Sequence, residues 1–299
     1  MEIVYSCFGK SILLSFPNNL GNNVSELDFW TKRFCPSIKS ISFSDNYSVD
    51  YKIECVDSTH YSYRIYKNRI VISGIWYNYE SFLAKFITQV FQNLLFDNNI
   101  VFIPAACVIK NNSAILIVGD FWQGKTSVAL GFVNRYNFSL LSDNYIAIQN
   151  NTILGGTSYL SLKQENLHTS LDLQQNIFIH DNRAYFNKSE CKTLITNKPQ
   201  IIGILIPHIN NNDNNFHFIS YNDSVWFLYQ KLTRLINGES VFFTDIIPSP
   251  NFNNKKKSKQ ILTYTTQLLQ SCSLLYASAS LDIIIDNSLK LFEKSHKYE

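Results

Sequence analysis

The decapeptide VGDFWQGKTS, at residues 118–127, contains two glycines, a lysine and a threonine in the spacing G-x-x-x-x-G-K-T. Glycine lets a backbone turn tightly and approach an anion closely, and successive N–H groups of such a turn can surround a phosphate. We therefore predict that the backbone from Gly119 to Ser127 binds phosphates, with help from the positive end of a following helix.

Individual side chains of this stretch have predicted roles in a nucleotide site. Gly119 and Gly124 allow the tight turn. Lys125 is expected to reach the β- and γ-phosphates, and the Thr126 hydroxyl to bind Mg²⁺. Trp122 offers a flat face to a base or a peptide; alternatively, it fills the loop and blocks phosphates. We predict that the chain binds ATP or another nucleoside triphosphate together with Mg²⁺.

The elements around the loop are those that a phosphate-binding motif requires. The apolar run 114–118 predicts a buried strand that leads directly into the loop, and residues 128–133 predict a helix after it. The stretch 138–148 predicts a second apolar strand with an acid, Asp143, at its end. The Asp143 carboxylate is predicted to bind Mg²⁺ or to act as a base. Within Ser-Asp-Asn, it is equally a turn residue.

The hydrophobic pattern changes its period near residue 79. Residues 1–78 contain short apolar runs separated by turn residues, which predict a small N-terminal β-rich domain. From Tyr79 to Phe96 apolar residues recur at helical spacing, and strands alternate with helices after that. We predict an α/β fold, with a P-loop domain in residues 79–299. The lysine-rich stretch 251–259 is predicted to be a solvated loop.

Composition and charge exclude several classes of protein. The formal net charge is +3, and the basic run 255–259 has no alternating arginine and aromatic residues, so we predict no nucleic-acid partner. The 6 cysteines lack zinc or disulfide spacing, which favours reduced, packed thiols. We recognise neither a signal peptide nor an apolar run of about 18 residues. We therefore predict a cytoplasmic protein with no membrane partner.

The loop and its neighbours resemble the HPr kinase/phosphorylase superfamily, including the lasso peptide kinases of peptide natural-product clusters. The resemblance is carried by the small-residue strand 105–108, the loop G-D-x-x-x-G-K-T-S and Leu-Ser-Asp at 141–143. It implies a P-loop (HPr kinase-like) core and a kinase that uses Mg²⁺ and ATP. The acceptor it implies is a hydroxyl of a peptide or small protein, with Asp143 as the catalytic residue. Some relatives are oligomers, which leaves a homo-oligomer open.

The sequence departs from the family pattern in three places. Pro104 stands where the family has a catalytic histidine, and Asn144 replaces the second acid of an Asp-Asp pair. Phe121 and Trp122 replace small loop residues. Two alternatives to a kinase therefore stay open. One is a protein that binds nucleotide and a partner peptide without turnover, and the other is an enzyme repurposed for a different nucleotide-dependent reaction.

Two residues further along the chain could compensate for these departures. Glu165 is a candidate for the missing metal ligand, and His168 is the nearest histidine in sequence. Polar residues of this kind are more often exposed on a protein surface than functional.

Overall fold

The computed structural model describes residues 1–17, 24–41, 48–76, 80–120, 123–163, 177–180, 183–187, 198–238 and 249–295 of the chain. Within these ranges the fold is mixed α/β, with several sheets, six α-helices and a β-rich N-terminal region. The α/β class predicted from the sequence is thereby confirmed at this coarser level. No helix in the described ranges is long and apolar enough to cross a membrane.

The chain divides into two compact units. The first comprises residues 1–101 and 233–258, and the second comprises 102–232 and 259–299. The first unit runs past residue 78, where the sequence predicts a domain boundary, and that boundary stays a prediction.

A mixed six-stranded sheet forms the first unit. Its strands are β1 (Glu2–Cys7), β2 (Lys10–Ser15), β3 (Lys39–Ile41), β4 (Tyr51–Asp57), β5 (Ser62–Ile65) and β6 (Arg69–Gly74). They lie in the order β3-β1-β2-β4-β6-β5. The β2–β4 and β4–β6 pairs are parallel, and the other pairs are antiparallel. The predicted β-rich N-terminal region is thus present.

This unit also contains two helices, α1 (Val24–Phe34) and α2 (Glu80–Leu95). The sequence predicts α2, but it predicts only strands before residue 79, which is wrong for α1. Parallel strands need a crossover connection, and α1 lies in the connection between β2 and β4. A helix of 11 residues depends on packing more than on propensity, and α1 packs against α2 with Leu27 and Trp30 buried.

The second unit is built around an eight-stranded sheet. Its strands are β7 (Ile100–Lys110), β8 (Ser113–Val118), β9 (Ser139–Ser142), β10 (Tyr145–Gln149), β11 (Thr152–Gly156), β15 (Gln200–Ile209), β16 (Asn215–Phe218) and β17 (Ser273–Ala279). The order is β11-β10-β7-β8-β15-β17-β16, with β9 paired to β7. Strands β8, β15 and β17 are parallel neighbours. Their carboxyl ends therefore meet at one edge, where open α/β sheets bind ligands.

A smaller sheet and four helices complete the described chain. The sheet has the order β12-β14-β13, from β12 (Tyr159–Lys163), β13 (Ile177–His180) and β14 (Arg183–Asn187). The helices are α3 (Lys125–Tyr136), α4 (Tyr221–Asn237), α5 (Lys255–Ser271) and α6 (Leu281–Ser295). Helices α3 and α6 share one apolar core with the central strands, which includes Phe132 and Phe292. This core holds the start of α3 in a fixed place.

The loop predicted at 251–259 is wrong from Lys255 onward, because α5 begins there. Asn254 precedes the helix, and its side-chain Oδ1 accepts a hydrogen bond from the Lys257 amide at 3.0 Å. Its carbonyl accepts one from the Ser258 amide at 2.9 Å. Asparagine is a preferred N-cap and lysine is a good helix former, so the run of lysines forms the first helical turn.

The described cysteines agree with the prediction of packed thiols. All are free and buried: Cys7, Cys35, Cys55, Cys107 and Cys272. Burial raises the pKa of the Cys272 thiol to about 12. The remaining cysteine, Cys191, lies outside the described residues.

The contact between Gly203 of β15 and the buried ring of Phe292 predicts a stability effect. A Cβ at Gly203 would lie 2.3 Å from Cε1 of that ring. We expect Gly203→Ala to lower the free energy of unfolding by about 1–3 kcal/mol, because a packed core resists added volume. Urea unfolding of a double-mutant cycle with Phe292→Leu measures the effect. An equal cost of Gly203→Ala in both backgrounds would show that the ring is not its cause.

Candidate functional site

The glycine loop lies between β8, which ends at Val118, and α3, which begins at Lys125. Gly124 is the N-cap of α3 and has a φ of +83°, in the left-handed region that side chains disfavour. A Cβ at Gly124 would also lie 2.3 Å from Cδ1 of Ile209, at the end of β15. The positive φ therefore favours glycine at this position, and any other residue would also displace the Ile209 side chain. Phe121 and Trp122 lie outside the described residues.

Lys125 bends back over the loop that precedes it. Its ammonium donates hydrogen bonds to the carbonyl of Gly119, at 3.0 Å, and to that of Asp120, at 2.6 Å. Burial lowers the pKa of Lys125. The charges of Asp120 and Asp143 act in the opposite direction, while the charge of Lys231 lowers this pKa further. The Lys125 ammonium is thus within electrostatic reach of both carboxylates.

A side chain inside the loop helps to define its shape. Gln123 accepts a hydrogen bond at its Oε1 from the Asp120 amide, at 2.7 Å. A Cβ at Gly119 would lie 2.4 Å from the same oxygen. Gly119 therefore leaves space for this contact, which joins the start of the loop to its end.

Asp143 lies in the turn between β9 and β10. It is buried, with only 6% of its surface exposed. The sequence predicts an apolar strand with this acid at its end, and β9 ends at Ser142, directly before Asp143. Asp143 Oδ2 accepts a hydrogen bond from the Ser161 amide of β12 at 3.0 Å. The turn interpretation of the Ser-Asp-Asn sequence is confirmed. The role of the carboxylate as Mg²⁺ ligand or base stays a prediction.

The turn itself is built around the buried hydroxyl of Ser142. This hydroxyl donates to the carbonyl of Tyr145 at 3.0 Å and shares a 2.7 Å hydrogen bond with the hydroxyl of Thr157. Its oxygen accepts hydrogen bonds from the amides of Asn144 and Thr157, both at 3.3 Å. The conformation on either side of Asp143 therefore depends on a single side chain.

Strand β7 brings the loop and the Asp143 turn together. It pairs with β8 through Ala105 and Val118, and with β9 through Cys107 and Ser142. The amide of Ala105 also donates to the carbonyl of Asn144 at 2.9 Å. Pro104, the preceding residue of β7, is therefore next to both the start of the loop and the turn. Two of the positions that depart from the family pattern, 104 and 144, therefore lie next to each other.

Two positively charged residues near the site were not singled out in the sequence. Lys231 of α4 forms an ion pair with Asp120, with Nζ and Oδ1 separated by 2.6 Å. Arg183 of β14 donates to the hydroxyl of Ser161 at 2.6 Å and to its carbonyl at 3.3 Å. Lys231 is 111 residues from Asp120, and no motif spacing links them. Only the tertiary structure brings these residues to the site.

The donor atoms of the site suit Mg²⁺. Thr126 is half-buried in the first turn of α3, next to the exposed Ser127. The Thr126 hydroxyl and the Asp143 carboxylate each offer oxygen atoms, the type of donor that Mg²⁺ prefers. No group of three or more His, Cys, Asp or Glu in the described part of the chain could hold a metal ion. Mg²⁺ in nucleotide sites is commonly held by one or two protein oxygens and the phosphates.

The other predicted candidates cannot be placed. Glu165 and His168 both lie outside the described residues, like Trp122. The roles considered for them stay predictions: Glu165 as a metal ligand, His168 as the nearest histidine in sequence, and Trp122 as a stacking surface.

Comparisons with known proteins assign the chain to no family. No protein-family model matches it, and no curated protein is significantly similar to it. The resemblance to HPr kinase-like proteins stays a prediction that rests on the loop and its neighbours.

The hydrogen bonds of Ser142 predict a stability effect close to the site. Ser142→Ala removes an acceptor used by two amides and a donor to one carbonyl. We expect the free energy of unfolding to fall by about 1–3 kcal/mol, because buried polar groups lose their partners. Ser139→Ala is the matched control, since it changes a half-buried serine of the same strand, β9. Similar chemical denaturation curves for the two variants would contradict the role given to Ser142.

Proposed function

We propose that the chain is a nucleotide-dependent kinase with an HPr kinase-like P-loop core. It binds ATP or another nucleoside triphosphate with Mg²⁺ and transfers a phosphoryl group to a hydroxyl of a peptide or small protein. One observation supports this proposal most directly. The pairing of β7 brings the loop, with Lys125, and the turn, with Asp143, to adjacent strand ends.

Phosphate binding follows from the composition and position of the loop. The backbone between Gly119 and Ser127 leads into the N-terminus of α3, where unsatisfied N–H groups and the helix dipole favour an anion. Lys125 supplies a full positive charge at the same point. Its present acceptors are two main-chain carbonyls, at 3.0 and 2.6 Å. A phosphate is a stronger acceptor for an ammonium than a neutral carbonyl is.

Thr126 and Asp143 are the residues that would hold Mg²⁺, which neutralises charge on the phosphates of a bound nucleotide. Asp143 is also the candidate base for the acceptor hydroxyl. Its carboxylate accepts a hydrogen bond from the amide of Ser161, and the hydroxyl of Ser161 accepts one from Arg183. This chain of contacts keeps Asp143 in one orientation, as required of a group that must meet a substrate hydroxyl.

A second candidate function is nucleotide-dependent binding of a partner peptide without turnover. The position of Pro104, beside the loop and the Asp143 turn, favours it. The family that the chain resembles has a histidine there. A proline side chain can neither accept nor donate a proton. Asn144 removes a second carboxylate from the same turn. A general acid or base contributes about 10²–10⁴-fold to a reaction rate, so these losses can leave binding without chemistry.

The loop predicts a specific loss of nucleotide binding. We expect Lys125→Ala to weaken Mg²⁺-ATP binding about 10- to 100-fold, because it removes a charge-assisted hydrogen bond to phosphate. Isothermal titration calorimetry with Mg²⁺-ATP and Mg²⁺-GTP measures the effect. Lys256→Ala is the matched control, because it removes the same charge from an exposed residue of α5. Equal dissociation constants for both variants, or no binding by the native chain, would refute the proposed site.

Asp143 predicts a loss of turnover. We expect Asp143→Asn to reduce ADP formation from Mg²⁺-ATP about 10²-fold or more in the presence of a serine-containing peptide pool. Binding of ATP without Mg²⁺ should be retained, because the substitution preserves the shape of the side chain. Chromatography of ADP, AMP and phosphate gives the measurement.

The native chain and one double variant separate the candidate functions. ADP formed by the native chain and lost in Asp143→Asn supports the kinase. Native binding without product, together with ADP formation by the variant carrying Pro104→His and Asn144→Asp, supports the binding protein. Release of AMP would contradict both and indicate a repurposed enzyme.

A further inference from the structure

A second lysine reaches the phosphate loop from a distant part of the chain. Lys231 of α4 places its ammonium 2.6 Å from Asp120 Oδ1. The Lys231 side chain is only 11% exposed, whereas that of Asp120 is 60% exposed. The lysine is thus enclosed by protein, and its carboxylate partner extends into solvent.

Asp120 contacts both lysines of the site. Its carbonyl accepts a hydrogen bond from Lys125 at 2.6 Å, and its carboxylate pairs with Lys231 at 2.6 Å. Two positive charges therefore converge on one residue of the loop. Such convergence costs free energy in the absence of an anion, and it is typical of sites that bind one.

The Lys231 ammonium has a second contact, which does not involve Asp120. It lies 5.1 Å from the centre of the Phe227 ring, one turn earlier on α4. The lysine can therefore keep its position when its anionic partner changes. The Asp120 side chain is largely exposed and can turn toward water. The enclosed ammonium of Lys231 then requires another anion, because an unpaired charge is costly inside a protein.

We propose that Lys231 is a second phosphate-binding residue of the nucleotide site, and that a phosphate group replaces the Asp120 carboxylate as its partner. This inference rests on the proposed function and adds a residue to it. The polyphosphate carries more negative charge than one carboxylate, so it competes effectively for an ammonium already in place. Asp120 then acts as an internal competitor that occupies Lys231 until the nucleotide binds.

A purely structural role for the ion pair makes a different prediction. If Lys231 only holds the loop in shape through Asp120, removal of either charge should weaken nucleotide binding to the same extent. If Lys231 binds phosphate, removal of the carboxylate should strengthen binding, whereas removal of the lysine should weaken it. The sign of the Asp120 effect therefore distinguishes the two roles.

The test uses the full chain and two ligands, Mg²⁺-ATP and inorganic triphosphate. We expect Lys231→Met, which keeps an unbranched side chain but removes the charge, to weaken binding of both ligands about tenfold. Lys231→Arg should retain most of the affinity. Asp120→Asn should bind more tightly than the native chain, and the double variant should bind as weakly as Lys231→Met. Thermal unfolding confirms that each variant is folded.

Salt dependence supplies a readout that a structural role would not change. Loss of one phosphate contact should make the dissociation constant of Lys231→Met less sensitive to salt than that of the native chain. Native-like affinity in Lys231→Met, or equal weakening by Asp120→Asn, overturns the inference. If binding is lost in Lys125→Ala but kept in Lys231→Met, the inference about Lys231 is overturned and the proposed function is not. Absence of ATP binding by the native chain overturns the proposed function as well.

Discussion

The backbone pairing of β7 is the constraint on which the rest of the site depends. On one side β7 pairs with β8, which leads into the glycine loop, and on the other it pairs with β9, which leads into the Asp143 turn. These hydrogen bonds place residues from three separate segments side by side. The buried apolar core formed by α3, α6 and the central strands stabilises this arrangement.

The charged side chains of the site have two kinds of partner, main-chain groups and an exposed side chain. Lys125 contacts main-chain carbonyls, Asp143 is held by a main-chain amide, and Lys231 is paired with the exposed side chain of Asp120. The first two contacts are short-range and built into the fold. The third involves an exposed carboxylate, which exchanges its partner at much lower cost. The site thus combines two contacts that are built into the fold with one ion pair whose carboxylate can be replaced.

The elements that the sequence predicted well are those with a strong local signal. The buried strand β8, the loop and α3 follow from an apolar run, two glycines and helical spacing within about 20 residues. Helix α1 was missed because it is short and stabilised by packing on α2. The start of α5 was missed because charged residues were interpreted as a loop, although Asn254 caps them as a helix. Local composition does not report such contacts.

For the site, the sequence alone determined the phosphate-loop pattern, the need for glycine at 124, and the departures at Pro104 and Asn144. These are properties of residues close together in the chain. Only the tertiary structure decided that positions 104 and 144 adjoin the loop, that Ser161 holds Asp143, and that Lys231 pairs with Asp120. The physical reason is that strand register and helix packing join segments up to 111 residues apart, through contacts with no local pattern.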